Sequence, residues 1–151
     1  MEETRIKAVA KELRLRYSRQ IGTVTFHGES MLPFLKDGDE LIVEPANWNE
    51  IRRGDIVSYR DSDKFPTYRV LKKVDDTLQL KADNWLEPFH VPRVDVLGKV
   101  VERQRDNSNL SCNSLKWRAY AHYILLRELA ANALLTARYY VRKVRAIWQS
   151  S

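Results

Sequence analysis

The sequence predicts a mainly β protein: a small rolled antiparallel sheet or barrel, with a short helix before it and a long amphipathic helix after it. Three observations carry this. Short β-branched and aromatic runs alternate with turn residues from about residue 21 to residue 105. Helical spacing of apolar residues is confined to the two ends of the chain. Gly and Pro number only five each, and 44% hydrophobic with 30% charged residues is a globular composition, which excludes collagen-like, low-complexity and disordered chains.

Each element follows from its own residues. Ile6, Val9, Leu13 and Tyr17 fall near helical spacing and predict a helix over 4–19. Residues 21–26 (Ile-Gly-Thr-Val-Thr-Phe) have the β-branched and aromatic content of a strand. Residues 28–38 hold one Pro and two Gly, so they form a loop or a turn of helix. Residues 40–43 and 55–60 are strands, with an irregular stretch over 45–53 and a hairpin connection at 61–66. Strands over 67–74 and 77–81 are joined by Asp75-Asp76, a turn-type pair. A longer loop with two prolines runs over 82–95, and a last strand runs over 96–105. The polar run Asp106-Asn-Ser-Asn-Leu-Ser predicts a linker, and a helical pattern follows over about 114–148. The domain organisation expected is therefore an N-terminal helix (1–20), a β domain (21–105), a linker (106–113) and a basic helical tail (114–151).

Charge is unevenly placed. The net charge is +6, and residues 110–151 carry seven Lys/Arg against one acid, Glu128, which leaves 19 basic and 19 acidic residues in the first 109. A basic tail on a neutral body points to an acidic partner surface. Tyr140, Val141, Val144, Ile147 and Trp148 lie on one face of the tail helix, with Arg138, Arg142 and Arg145 on another. Such a helix docks on a membrane surface, on a partner protein, on its own sheet or on a second copy of the chain. Its most apolar stretch, 119–137, has Arg127 and Glu128 in its middle, whereas a spanning helix needs about 20 largely apolar residues. The N-terminus lacks the apolar core of a signal peptide, so the expected location is the cytoplasm, or the inner face of the membrane as a peripheral protein. The single Cys112 excludes an internal disulfide and a Cys-based zinc site, and no cofactor or metal is expected.

The chemistry is concentrated in Gly28-Glu29-Ser30-Met31-Leu32-Pro33, followed by Asp37-Gly38-Asp39 and an apolar strand. A Ser just after a strand, in a Gly-flanked loop, can expose its hydroxyl where backbone N–H groups converge, as acyl transfer requires. The Ser-Met-x-Pro box resembles the nucleophile box of the signal peptidase I and LexA-type serine peptidases. Further boxes follow in the same order. Gly54-Asp55-Ile56-Val57 resembles the family's glycine–aspartate strand, and Thr67-Tyr68-Arg69-Val70 resembles the strand that bears its general base. Lys81-Ala82-Asp83-Asn84 resembles its later Lys-Gly-Asp-Asn box, and Val94-Asp95-Val96-Leu97-Gly98-Lys99-Val100 its closing strand.

The resemblance implies a rolled β fold of the signal-peptidase/LexA type and a serine endopeptidase activity, with Ser30 attacking a peptide carbonyl next to small apolar residues. It also implies a Lys or His as base, and the residue at that position is Tyr68, 38 residues after Ser30. A phenol with an ordinary pKa near 10 is a poor base at neutral pH. Lys81 and His27 are the alternative bases, and Lys64 and Lys72 share a strand face with Tyr68 but lie about 13 Å along it. Asp83 either supports the base by resemblance or caps the turn of its own box. Met31 reads as a pocket filler and Pro33 as a loop stiffener. The sequence thus carries two functional readings: a peptidase working through Ser30, and a catalytically degenerate module that binds an extended peptide and is anchored by its basic helix. Nucleic acid is not the expected partner, because about 20 residues before the β domain are too few for a helix-turn-helix module.

Overall fold

The computed structural model describes residues 22–149 apart from Leu86, and the helix expected over 4–19 lies outside them. Eight strands form one curled antiparallel sheet, a half-barrel, and one long helix follows. The strands are β1 (Gly22–Thr25), β2 (Glu40–Glu44), β3 (Ile56–Tyr59), β4 (Thr67–Val74), β5 (Thr77–Lys81), β6 (Phe89–Pro92), β7 (Val96–Arg105) and β8 (Ser108–Ser111). The helix α1 runs over Leu115–Gln149. Their order across the sheet is β1-β2-β7-β3-β4-β5-β6, with β8 also paired to β7.

The ten-residue β7 is the hub. Its residues 99–104 pair with β2, while 96–99 pair with β3 and 102–105 with β8. Since β2 faces both of the others across β7, β3 and β8 lie end to end on the opposite edge. Gly98 sits where the sheet is tightest: a Cβ there would come within 2.9 Å of the Glu44 carbonyl carbon and closer still to its oxygen.

Two segments differ from the sequence expectation. The 82–95 loop contains β6, which pairs with β5 from Thr77↔Pro92 to Leu80↔Phe89. Its prolines suggest a loop, yet β6 is the last strand of the sheet, where a residue without an N–H is tolerated. The polar linker at 106–113 is instead a hairpin. Arg105↔Ser108 closes it, and Asp106 takes the left-handed φ of 50° that a tight turn demands and Asp accepts.

Alternation along the strands sorts the core into two clusters. Ile56 joins Phe26, Met31, Phe34, Leu35, Leu41, Val43, Val100 and Trp117. Its neighbour Val57 joins Ile51, Val70, Leu78, Leu80 and Val91. The first cluster is closed by α1, which Ser114 caps by accepting a hydrogen bond from Trp117 N (3.2 Å) and which contributes buried Trp117, Ala121 and Ile124. From Leu129 to Lys143 every helical residue is exposed. Among the described residues no helix is long and apolar enough to cross a membrane.

The first strand pair is pinned by a buried carboxylate. Asp39 accepts from Arg105 Nε (2.6 Å) and Nη2 (2.7 Å) and from Lys36 N (2.8 Å). Burial alone would raise its pKa, but these hydrogen bonds and the charges of Arg105 and Arg103 outweigh it and hold the carboxyl below its ordinary value. A carboxyl depressed in the folded state stabilises above its unfolded pKa, and that stability is lost as pH falls through the folded one. The urea midpoint is therefore expected to fall below about pH 4, and Asp39→Asn should be less stable at neutral pH with a shallower acid limb. An unchanged acid limb in Asp39→Asn would refute this role.

Candidate active site

The loop that bears Ser30 joins β1 to β2 and is closed at its base by backbone pairing. Phe26 N donates to Asp39 O (2.8 Å) and Gly38 N to Phe26 O (2.9 Å). Gly28 and Gly38 adopt φ of 100° and 85°, a left-handed backbone that a side chain would strain. Gly28 N donates to Asp37 Oδ1 (2.8 Å). Inside the loop, Leu35 N donates to Met31 O (2.9 Å), a single helical turn. Met31, Phe34 and Leu35 are buried in the first core cluster, so the apolar residues after the serine anchor it from below. Ser30 itself is half-buried.

A second segment grips this loop from the far side of the sheet. Asn84 N donates to Ser30 O (3.2 Å), and Asn84 Nδ2 donates to Glu29 O (2.6 Å). The turn at 82–85 is in turn fixed by an ion pair. Arg69, fully buried, donates from Nε and Nη2 to the two carboxylate oxygens of Asp83, each at 2.7 Å, and from Nη1 to Gly54 O at 2.9 Å. Its guanidinium carbon also lies 5.3 Å from the Phe34 ring centroid and 5.5 Å from that of Tyr120. Each of the three guanidinium nitrogens thus donates one hydrogen bond, two of them to the same carboxylate. The Asp83 carboxylate is spent on Arg69, the residue next to Tyr68.

Tyr68 lies on β4 opposite Val57 of β3. It packs among aromatic rings, 5.0 Å from Phe89 edge-on and 6.2 Å from both Tyr59 and Trp85. It touches both core clusters, including the one that holds Met31. Tyr68 thus packs on the cluster that holds Met31, the neighbour of Ser30, and on Trp85, the neighbour of Asn84. No hydrogen bond joins the Ser30 and Tyr68 side chains among the described residues. Burial, then the neighbouring Tyr68 and Asp61, pushes the Tyr59 phenol up to about 12, the mark of an environment hostile to phenolate.

The alternative bases are placed elsewhere. Lys81 pairs in register with Arg69, so it shares Arg69's face of the sheet rather than Tyr68's. There it is buried and ion-paired to Glu128 of α1. His27 is largely exposed, with Nδ1 3.5 Å from Asp37 Oδ1 on the rim of the loop.

Sequence reasoning missed Arg69, Asn84, Arg127 and Glu128. Glu128 figured only as a charge that interrupts an apolar run, whereas it and Arg127, which donates to Asp83 O, strap α1 to residues 81–83. The signal for Arg69 and Asn84 was available: each is adjacent to a residue already singled out.

Comparison with curated proteins finds no significant match. The family model described as Peptidase S24-like matches residues 3–101, about two thirds of the chain, and ends before β8 and α1. The match spans the serine loop, the Tyr68 strand and the Asp83 turn, so the chain belongs to the Peptidase S24-like family.

Proposed function

We propose that this chain uses a peptidase fold to hold an extended peptide segment beside Ser30, and that hydrolysis is lost. The carrying observation is the base position: Tyr68 stands there, wedged among Tyr59, Phe89 and Trp85, while Lys81 is engaged by Glu128. A serine hydroxyl needs a neighbouring base to become a nucleophile near neutral pH. Peptide binding needs only a free strand edge and a loop beside it. β1 ends the sheet, pairs only with β2 among the described residues, and runs directly into the Ser30 loop. An added strand along β1 would gain main-chain hydrogen bonds and bring its backbone to the loop.

A second reading, an endopeptidase acting through Ser30 on a protein substrate, draws on the loop itself. Its buried Met31 and Leu35 and the Asn84 clamp give the serine the fixed placement that acyl transfer needs. One experiment separates the two readings. The protein is incubated with a serine-directed acylating probe from pH 6 to pH 10 and its intact mass is read beside that of Ser30→Ala. The expected result is no adduct at any pH, with a fluorescent Ala-rich extended peptide bound equally by both proteins. A single adduct that disappears in Ser30→Ala would establish the endopeptidase reading instead.

A further inference from the structure

We propose that the distal part of α1 lies on an anionic lipid surface, with an apolar stripe turned into the headgroup layer and the β domain riding on the opposite side of the helix. No step of this involves Ser30 or Tyr68, so it stands apart from the peptide-binding reading.

The first ground is the direction of the stripe. At ~100° per residue, the buried residues Trp117, Ala121 and Ile124 and the ion-paired Glu128 fall within an arc of roughly 60°. Leu126, Ala133, Ala137 and Tyr140 fall within a similar arc about 180° away, and all four are exposed. Leu129 flanks them on one side and Leu134 and Val141 on the other, with 52%, 65% and 63% of their surface exposed, while Leu135 and Tyr139, also exposed, fall in the docked arc beyond the end of the domain contact. The domain to which α1 is strapped is on the wrong side of the helix to cover this stripe. A contiguous exposed apolar strip of this kind marks a contact surface.

The second ground is charge. After Glu128 the chain has no Asp or Glu, and it has four cations: Arg138, Arg142, Lys143 and Arg145. Arg138 and Arg145 lie beyond the stripe on one side and Lys143 on the other, roughly 90–130° from its centre, and Arg142 lies opposite it. Long cationic side chains at the flanks of an apolar face reach headgroup phosphates while the face enters the acyl boundary. A second copy of the helix is disfavoured by the same count, since it would bring cations against cations with no acid to pair them. Nucleic acid would call for cations at the centre of the outward face, where Leu126 and Tyr140 stand.

The test is flotation of the full chain with vesicles of phosphatidylcholine alone and of a phosphatidylcholine–phosphatidylglycerol mixture. The variants are Arg138→Gln/Arg145→Gln and Tyr140→Asp, all at exposed positions. The chain should float with the anionic vesicles and much less with the neutral ones. Loss of each arginine should weaken binding roughly fivefold, and Tyr140→Asp should weaken it on both lipids. Absence of binding to anionic vesicles overturns the proposal, as does binding that none of the variants changes. A concentration-dependent dimer abolished by Tyr140→Asp, without vesicle binding, overturns it in favour of a second copy. Salt-steep binding to duplex DNA, again without vesicle binding, overturns it in favour of nucleic acid.

Discussion

The Tyr68→Lys variant is expected to form an adduct at Ser30 that the natural chain does not form, its rate raised by the roughly 10²–10⁴-fold that a positioned general base contributes. The side chain it installs would start from β4 opposite Val57 and extend into a space lined by Phe89, Tyr59 and Trp85. An amine in such surroundings is poorly solvated as an ammonium, so desolvation lowers its pKa and leaves a neutral base within reach of neutral pH. The sign of the pH dependence follows. The adduct rate should rise with pH as the ammonium loses its proton and level off above the lowered pKa. The adduct must vanish in Tyr68→Lys/Ser30→Ala. The measurement is the rate of mass increase with the acylating probe, read beside circular dichroism to show that the variant is folded. A folded Tyr68→Lys chain that forms no adduct would mean that Tyr68 is not where a base must stand, and would remove the observation on which the proposed loss of hydrolysis rests.

How much of this was legible in the sequence differs from residue to residue, for physical reasons. Strands β4 and β5 are recoverable to the residue: the turn pair Asp75-Asp76 separates them, β4 has Thr67, Val70 and Val74, and Leu78 and Leu80 alternate with polar residues in β5, all of it local information. β6 and β8 are not: β8 has no apolar alternation, and that of Phe89 and Val91 in β6 is only four residues long and set between prolines. Phe-His-Val-Pro and Ser-Asn-Leu-Ser become strands only through the edges of β5 and β7 beside them. The serine loop was legible as a loop because Gly28 and Gly38 bound it, and Met31 as its anchor because an apolar residue in a polar loop has to be buried somewhere. What fixes that loop from the other side was not legible. Asn84 bonds Glu29 across 55 residues, and Lys81 meets Glu128 across 47, pairings that only the folded sheet creates. The tail shows the same limit from the opposite direction. Its amphipathicity is plain in the sequence, but which face turns away from the domain depends on where Trp117, Ala121 and Ile124 dock.

The largest stability effect is expected at Asp83, and its size separates a cap from a keystone. If the carboxylate only capped the turn at 82–85, Asp83→Ala would cost about 1 kcal/mol, as the loss of one net hydrogen bond does. The structure instead gives Asp83 both forks of a guanidinium that is 0% exposed. Removing the acid leaves an uncompensated buried cation, which costs about 3–5 kcal/mol. For a chain of this length that is a fall in Tm of roughly 10 °C or more. The pair's own net contribution is smaller than this, because both ions were desolvated to form it. Arg69→Met/Asp83→Leu should therefore recover most of the loss, falling short mainly by the hydrogen bond that Arg69 gives to Gly54 O. The site should register the single change as well. Asn84, which clamps Glu29 and Ser30, follows Asp83 directly, so Asp83→Ala should speed amide exchange at Asn84 and loosen the serine loop before global unfolding. Urea unfolding of the three proteins measures the first effect and hydrogen exchange the second. An Asp83→Ala chain within about 1 kcal/mol of the natural one would reduce Asp83 to a turn residue. The Arg69–Asp83 pair would then hold neither the base strand nor the serine loop in place.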